Sequence, residues 1–384
     1  MLLLLLLAAG PQAVPQRSQN DLSTYLTVVA EYRRGYRDAA LREIRGWRPG
    51  EIGAAVQALR LEGQRMHSVI VGPGKTIRVP ARIDGPIVEA AALMHVEAGL
   101  LEVQSLRLAV AQSQLEAAAR LVEWSRDLRT QRLALLAKLR GTPNSTAEVE
   151  RALTIDLKIE ARDFYVALGA ATLSLGAFEM ALPFAEKARD GAPLDPEALL
   201  VTACVKESLA LQERARTHED KARRLRDEAE ALFRETVVAE PMGAEAHLHL
   251  GNVLIADGRP REAEPALQRA VELTPSNEQL YLASLFLGRA AELEGSSNDA
   301  AAFYRRALDA WPPSQAARLA LARALESSAG LSAARALVVA SLADSGDAAR
   351  EPDPWWSYPF GPKGLATAAI ERLWQTVLGR SFAR

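Results

Sequence analysis

Residues 244–275, AEAHLHLGNVLIADGRPREAEPALQRAVELTP, constrain this chain more than any other stretch. Leu248, Leu250, Gly251, Leu254 and Ile255 recur at the spacing of one helix face, and Ala263, Leu267, Ala270, Val271 and Leu273 recur on a second. Between them Asp257-Gly258-Arg259-Pro260 stops the first helix and opens the next, since glycine takes the left-handed conformation and proline suits a first helical turn. Thr274 ends the second, because the residue before Pro275 is pushed out of the helical region. The stretch is two short helices, each apolar on one side. One pair cannot bury those sides alone, so further pairs must stack on it.

These residues resemble a tetratricopeptide repeat, a helix-turn-helix unit of about 34 residues. With Ala244 as the first position, Leu250 and Gly251 fill the seventh and eighth, Ala263 the twentieth, Leu267 the twenty-fourth, Ala270 the twenty-seventh and Pro275 the thirty-second. Small side chains at the eighth, twentieth and twenty-seventh let two helices approach, and larger ones fill the groove beside them. From Arg162 the register recurs in Tyr165, Leu168, Gly169, Ala181, Ala188 and Pro193, with Gly176 at the turn. The next copy is split by a charged insert, QERARTHEDKARRLRD, which reads as helices prolonged into solvent before Ala229, Phe233 and Pro241 restore the register. A further copy carries Leu287, Gly288, Ala300, Tyr304, Ala307 and Pro312, and a weaker one Leu321, Ala322, Leu325, Gly330 and Ala334. The resemblance implies an all-α fold, a right-handed α-solenoid of stacked antiparallel helix pairs, with five repeats over residues 162–347. It also implies a non-catalytic scaffold or adaptor that holds a protein or extended peptide on its concave face.

The rest of the chain divides around that array. Residues 1–20 read as a signal-like leader and linker, 21–66 as a degenerate helical repeat region and 67–85 as a loop or short hairpin. Residues 86–161 form a long helical region expected to break near Gln104-Ser105 and again near Asp127. Residues 348–384 carry an aromatic, proline-rich segment and then a C-terminal capping helix with Ile370, Leu373, Trp374, Val377 and Leu378 on one side.

Composition excludes several classes. Lys plus Arg number 46 against 48 Asp plus Glu in 384 residues, so the overall balance calls for neither nucleic acid nor an anionic membrane surface. Cys204 is the single cysteine, which rules out an internal disulfide and a cysteine-based metal cluster; it reads as a packed core thiol. His247 and His249 are two apart on a helix, about 200 degrees around it, and cannot share a ligand. Gly72-Pro73-Gly74-Lys75-Thr76 suggests a phosphate loop, but Val69 stands where that loop needs glycine and an extended, proline-broken stretch follows. No catalytic residue, metal or cofactor is therefore expected. The apolar run at 1–9 is too short to span a bilayer and resembles the core of a secretory signal, although no Lys or Arg precedes it. Export to the periplasm or envelope and a misassigned start of a cytoplasmic protein both stay open. Asn144-Ser145-Thr146 matches a glycosylation acceptor and is assigned no role.

Two surfaces are candidates for binding. Carried over from the family, the inward-facing ninth positions are Ala170, Lys206, Asn252, Arg289 and Arg323, a polar to basic stripe suited to acidic groups or backbone carbonyls of a peptide. Leu248 stands where the family's carboxylate clamp has lysine, which puts that clamp in doubt. The competing reading pairs Arg289 with Glu292 and Arg323 with Glu326, leaving the face neutral. The second surface is Trp355, Trp356 and Tyr358. They either fold back to cover the exposed end of the last repeat or dock an accessory subunit on an envelope enzyme or secretion complex.

Overall fold

The computed structural model describes residues 16–64, 66–72, 75–80, 85–139, 160–274, 276–343 and 353–379. The leader-like run at 1–9, the Asn144-Ser145-Thr146 triplet and Pro275 lie outside them. The chain forms two compact units, Met1–Phe164 with Ile370–Arg384, and Tyr165–Ala369. It is an all-α solenoid protein with one added hairpin.

In the first unit, α1 (Gln16–Arg34), α2 (Arg37–Arg45) and α3 (Pro49–Gln64) pack with α4 (Gly85–Gln104) and α5 (Leu108–Leu139). The hairpin β1 (Met66–Gly72) and β2 (Lys75–Pro80) pairs antiparallel, with an irregularity between Ile70 and Gly72. Lys75 and Thr76 thus lie on a strand, whereas a phosphate loop needs them at a helix N-terminus. The expected break near Asp127 does not occur: α5 continues unbroken to Leu139, and nothing between its ends is glycine or proline. The core holds a hydrogen-bonded relay of fixed polarity. Tyr25 donates to His95 Nε2 at 2.8 Å, the His95 Nδ1 proton goes to Gln114 Oε1 at 2.5 Å, and Gln114 donates to the Ile44 carbonyl at 3.1 Å. Burial lowers the His95 pKa to about 4, against the hydrogen bond to Gln114, so the ring is neutral as the relay requires. Nearby, Glu97 accepts from Tyr32 at 2.9 Å and from Arg37 Nε at 2.7 Å.

The second unit is the helix-pair stack. Its pairs are α6 (Ala161–Ser174) with α7 (Phe178–Gly191), α8 (Pro196–Ala215) with α9 (Glu219–Ala239), α10 (Ala244–Ala256) with α11 (Pro260–Leu273), α12 (Asn277–Leu293) with α13 (Ser297–Ala310), and α14 (Gln315–Ala329) with α15 (Leu331–Ala343). First helices of neighbouring pairs touch one another, α8 with α10 and α10 with α12, so they line the inner face. The reason for glycine at the eighth position is visible in the spacing. A Cβ on Gly251 would lie 2.4 Å from Leu267 Cγ, and one on Gly288 would lie 2.3 Å from the Tyr304 ring. Around these contacts Ala263, Leu267, Ala270, Ala300, Tyr304 and Ala307 are buried.

The charged insert does lengthen α8 and α9, which turn at Thr217 with φ of 66°. Its charges do not all stand in solvent: Arg226 Nε lies 2.6 Å from Asp257 Oδ1 in the next pair's turn, both mostly buried. No helix among the described residues is long and apolar enough to cross a membrane.

Candidate functional site

The chain's C-terminal segment returns to the inner face. Asp353 caps the short helix α16 (Pro354–Ser357), which runs into a 3-10 turn (Tyr358–Phe360), and α17 (Leu365–Leu378) follows. The Asp353 carboxylate accepts from the Tyr281 hydroxyl and the Ser314 hydroxyl, each at 2.7 Å, and from the Trp355 amide at 3.0 Å. Ser314 is the N-cap of α14, so the carboxylate sits where backbone amides and the helix dipole favour an anion. Trp355 and Tyr358 both meet Phe286 of α12 edge-on, at 5.9 and 5.1 Å between centroids. Farther along, the Pro359 carbonyl lies 2.6 Å from the Ser208 hydroxyl of α8, and Phe360 lies against Phe178 at 6.0 Å.

Tyr358 closes a buried polar cluster. Its hydroxyl donates to Glu207 Oε1 at 2.8 Å, and its ring stacks on His249 at 4.7 Å. His249 Nδ1 donates to Glu207 Oε2 at 2.6 Å, and Asn252 donates to Glu207 Oε1 at 2.8 Å. Burial alone would lower the His249 pKa, but the charge and hydrogen bond of Glu207 hold it well above the usual imidazole value. The ring's Nδ1 proton is thus directed at the Glu207 carboxyl group. Burial pushes the Cys204 thiol up, so it remains protonated beside this pair. Among the described residues no group of three or more His, Cys, Asp or Glu is placed to hold a metal ion.

Beside the segment lies an open cleft of about 980 Å³. Its lining includes Asn252, Arg289 and Arg323 from the expected stripe, together with Trp355, Trp356 and Tyr358. Two surfaces that the sequence presents as separate thus form the walls of one space. Lys206 does not line it: this side chain is buried, with Nζ 2.6 Å from Glu228 and 3.4 Å from Glu186 on the helices flanking α8. The expected partner of Arg289 is found, with Glu292 at 3.4 Å. Arg323 does not pair with Glu326 as its spacing suggests; it reaches back to Glu292 on α12, with Nε 2.9 Å away. One carboxylate therefore positions two guanidinium groups, and the third arginine of the lining is Arg214. No acidic side chain is among the described lining residues. Leu211, Leu293, Leu319, Trp355 and Trp356 add exposed apolar surface.

The reading of the tail as a cover for the last pair needs correction. Residues 353–361 lie along the inner face from α14 to the start of the array, where a Cβ on Gly361 would lie 2.6 Å from Leu173. The second half of α17 belongs to the first unit, where Trp374 meets Tyr32 at 5.8 Å. Leu331 and Val339 of α15 accordingly stay exposed.

The family model described as "Tetratricopeptide repeat" matches residues 218–278 and 280–315. The chain carries tetratricopeptide repeats. Among curated proteins, "Cellulose synthase operon protein C" of Pseudomonas fluorescens (strain SBW25) is 38% identical over 119 residues. That match takes in 29% of this chain but only 9% of the relative's length. Among solved structures, a MamA crystal structure is 21% identical with a TM-score of 0.40, over 48% of this chain and 91% of MamA. YrrB, described as a TPR protein with an unusual peptide-binding site, is 20% identical with a TM-score of 0.37, over 54% of this chain and 90% of YrrB. These structural likenesses have no bearing on what the tetratricopeptide array binds.

Proposed function

We propose that the protein is a non-catalytic interaction scaffold whose repeat array holds an extended, acidic peptide of a partner protein in the cleft beside the C-terminal segment. The observation that carries the reading is the composition of that cleft. Three arginines and exposed Leu and Trp side chains line it without a carboxylate of its own. Guanidinium groups held in place bind carboxylates with paired, charge-assisted hydrogen bonds, and the apolar floor buries side chains between them. Arg289 and Arg323 are half exposed, at 49% and 59%, and so are open to a ligand while Glu292 steadies them. Selection of peptides from a displayed random library on the immobilised full chain tests the proposal. Enriched sequences should be acidic, and Arg289→Ala with Arg323→Ala should weaken them at least tenfold with an unchanged circular dichroism spectrum. Enrichment of neutral or basic peptides, or indifference to the double substitution, refutes it.

A second reading has Trp356 dock an accessory subunit on an envelope or secretion complex, and its 71% exposure favours that role. Trp356→Ala separates the two, since it should abolish capture of such a complex and only modestly weaken an acidic peptide. Placement in the envelope rests on the leader-like run.

A further inference from the structure

Residues 353–361 lie on the inner face as a ligand lies in a groove. Every contact that holds them is noncovalent, and the best-defined ones read side chains. The Asp353 carboxylate is received at the N-cap of α14. Trp355 is read by the ring of Phe286. Tyr358 is read twice, its ring by His249 and Phe286 and its hydroxyl by Glu207. Phe360 rests on Phe178 and over Gly176, where an added Cβ would come within 3.0 Å of its ring. Trp356, between these positions, lines the arginine-bearing cleft and is 71% exposed.

We propose that this part of the inner face is a binding site for a segment of another protein, and that residues 353–361 are its built-in occupant. The chemistry of the occupant defines the ligand class: a carboxylate, an aromatic ring two residues later, a tyrosine five residues later and a second ring at seven. The tyrosine position is the most selective. Glu207 is a buried carboxylate already committed to His249 and Asn252, and the phenol supplies a further proton to it. Phenylalanine there would leave the acceptor short of a partner, and sites built around a hydroxyl discriminate strongly against analogues that lack it. The tethered segment competes at the high effective concentration of an intramolecular ligand, so a partner binds by displacing it. The inference rests on reading the array as a peptide-binding scaffold; the bed of the segment adjoins the arginine-lined cleft, of which Trp355, Trp356 and Tyr358 form one wall.

The test is binding in trans. A fluorescein-labelled synthetic peptide of residues 353–363 is titrated by anisotropy against the full-length protein and a full-length variant carrying Asp353→Ala and Tyr358→Ala. The variant should bind the peptide at least tenfold more tightly than the wild type, because its own segment no longer competes. Replacing the peptide's tyrosine by phenylalanine should weaken binding at least tenfold, and Glu207→Gln in the variant should remove that preference. Alkylation of Cys204, the single cysteine, should be faster in the variant and slowed again by saturating peptide. A variant with a wild-type circular dichroism spectrum that binds the peptide no better than wild type overturns the proposal. If that variant does not fold, full-length Tyr358→Phe replaces it; a failure to bind the peptide more tightly than wild type is equally decisive. Acidic-peptide binding by the wild type is scored separately, so its absence refutes the cleft reading while leaving this one to stand or fall by the trans peptide.

Discussion

Gly288→Ala is the sharpest test of why the helix pairs stand so close. Two effects oppose each other. In a helix interior alanine is favoured over glycine by about 1 kcal/mol. Against this, the new Cβ would lie 2.3, 2.5 and 2.8 Å from three atoms of the Tyr304 ring, where carbon pairs prefer about 3.5–4.0 Å. The ring would have to retreat by more than an ångström. It is not free to do so, since Tyr304 is 1% exposed and its hydroxyl donates to Glu292 at 2.8 Å. Overpacking of this kind costs typically 1–3 kcal/mol, and forfeiting the hydrogen bond to a carboxylate adds roughly 1.5–3 kcal/mol. The net expectation is a loss of about 1.5–5 kcal/mol. For a unit of about 200 residues that is a fall in Tm of roughly 3–20 °C. Gly191→Ala, at the end of α7 with nothing within 4 Å of the added Cβ, is the control and should raise Tm slightly. Thermal unfolding of the three proteins by circular dichroism decides it. A Gly288→Ala protein as stable as the control would mean that the helix spacing adjusts freely, and the account of close packing would be wrong.

Other outcomes follow from the same structure. Asp353→Asn puts an amide where Tyr281 and Ser314 both donate, and should cost about 1–3 kcal/mol in denaturant titration. His95 binds its proton near 6.5 when unfolded and near 4 when folded, so between those values the unfolded chain holds more protons. Its contribution, up to roughly 3 kcal/mol, is whole above about pH 6.5 and is lost as pH falls towards 4; His95→Gln should flatten the decline of Tm measured across that window. Cys204 in the wild type should react with thiol reagents only as fast as the protein opens, because burial both hides the thiol and keeps it protonated. Fused ahead of a reporter active only outside the cytoplasm, residues 1–25 should confer activity if the leader reading holds.

The array was legible because its packing rule is local. Gly251 with Ala263 and Ala270, or Gly288 with Ala300 and Ala307, announce a close crossing within one unit of sequence, and the repeated register does the rest. Single-helix geometry was legible too, as in the separation of His247 from His249: the first bonds to the Pro241 carbonyl at 3.2 Å and the second to Glu207. What spacing along one helix does not reveal is the neighbour across the groove. Arg323 found Glu292 instead of Glu326, and Lys206 found Glu186 and Glu228, through contacts between helices that only the stacked structure brings within reach. The cluster of Glu207, His249 and Tyr358 was missed for the same reason, since 109 residues separate the tyrosine from the histidine. The aromatic, proline-bearing composition of the tail did mark it as a segment that must be buried or bound. It carried no sign that the burial site was the inner face.

A linear stack of helix pairs ordinarily melts piecemeal, because each pair feels only the ones beside it. Here a single short strap of chain is fastened to the fifth pair at Ser314, to the middle ones at Phe286 and Ser208, and to the first at Phe178. Unzipping from either end then means tearing that strap away as well, so the array should give way as one body rather than link by link. Loosening the strap should turn a steep unfolding curve into a shallow one before it moves the midpoint far.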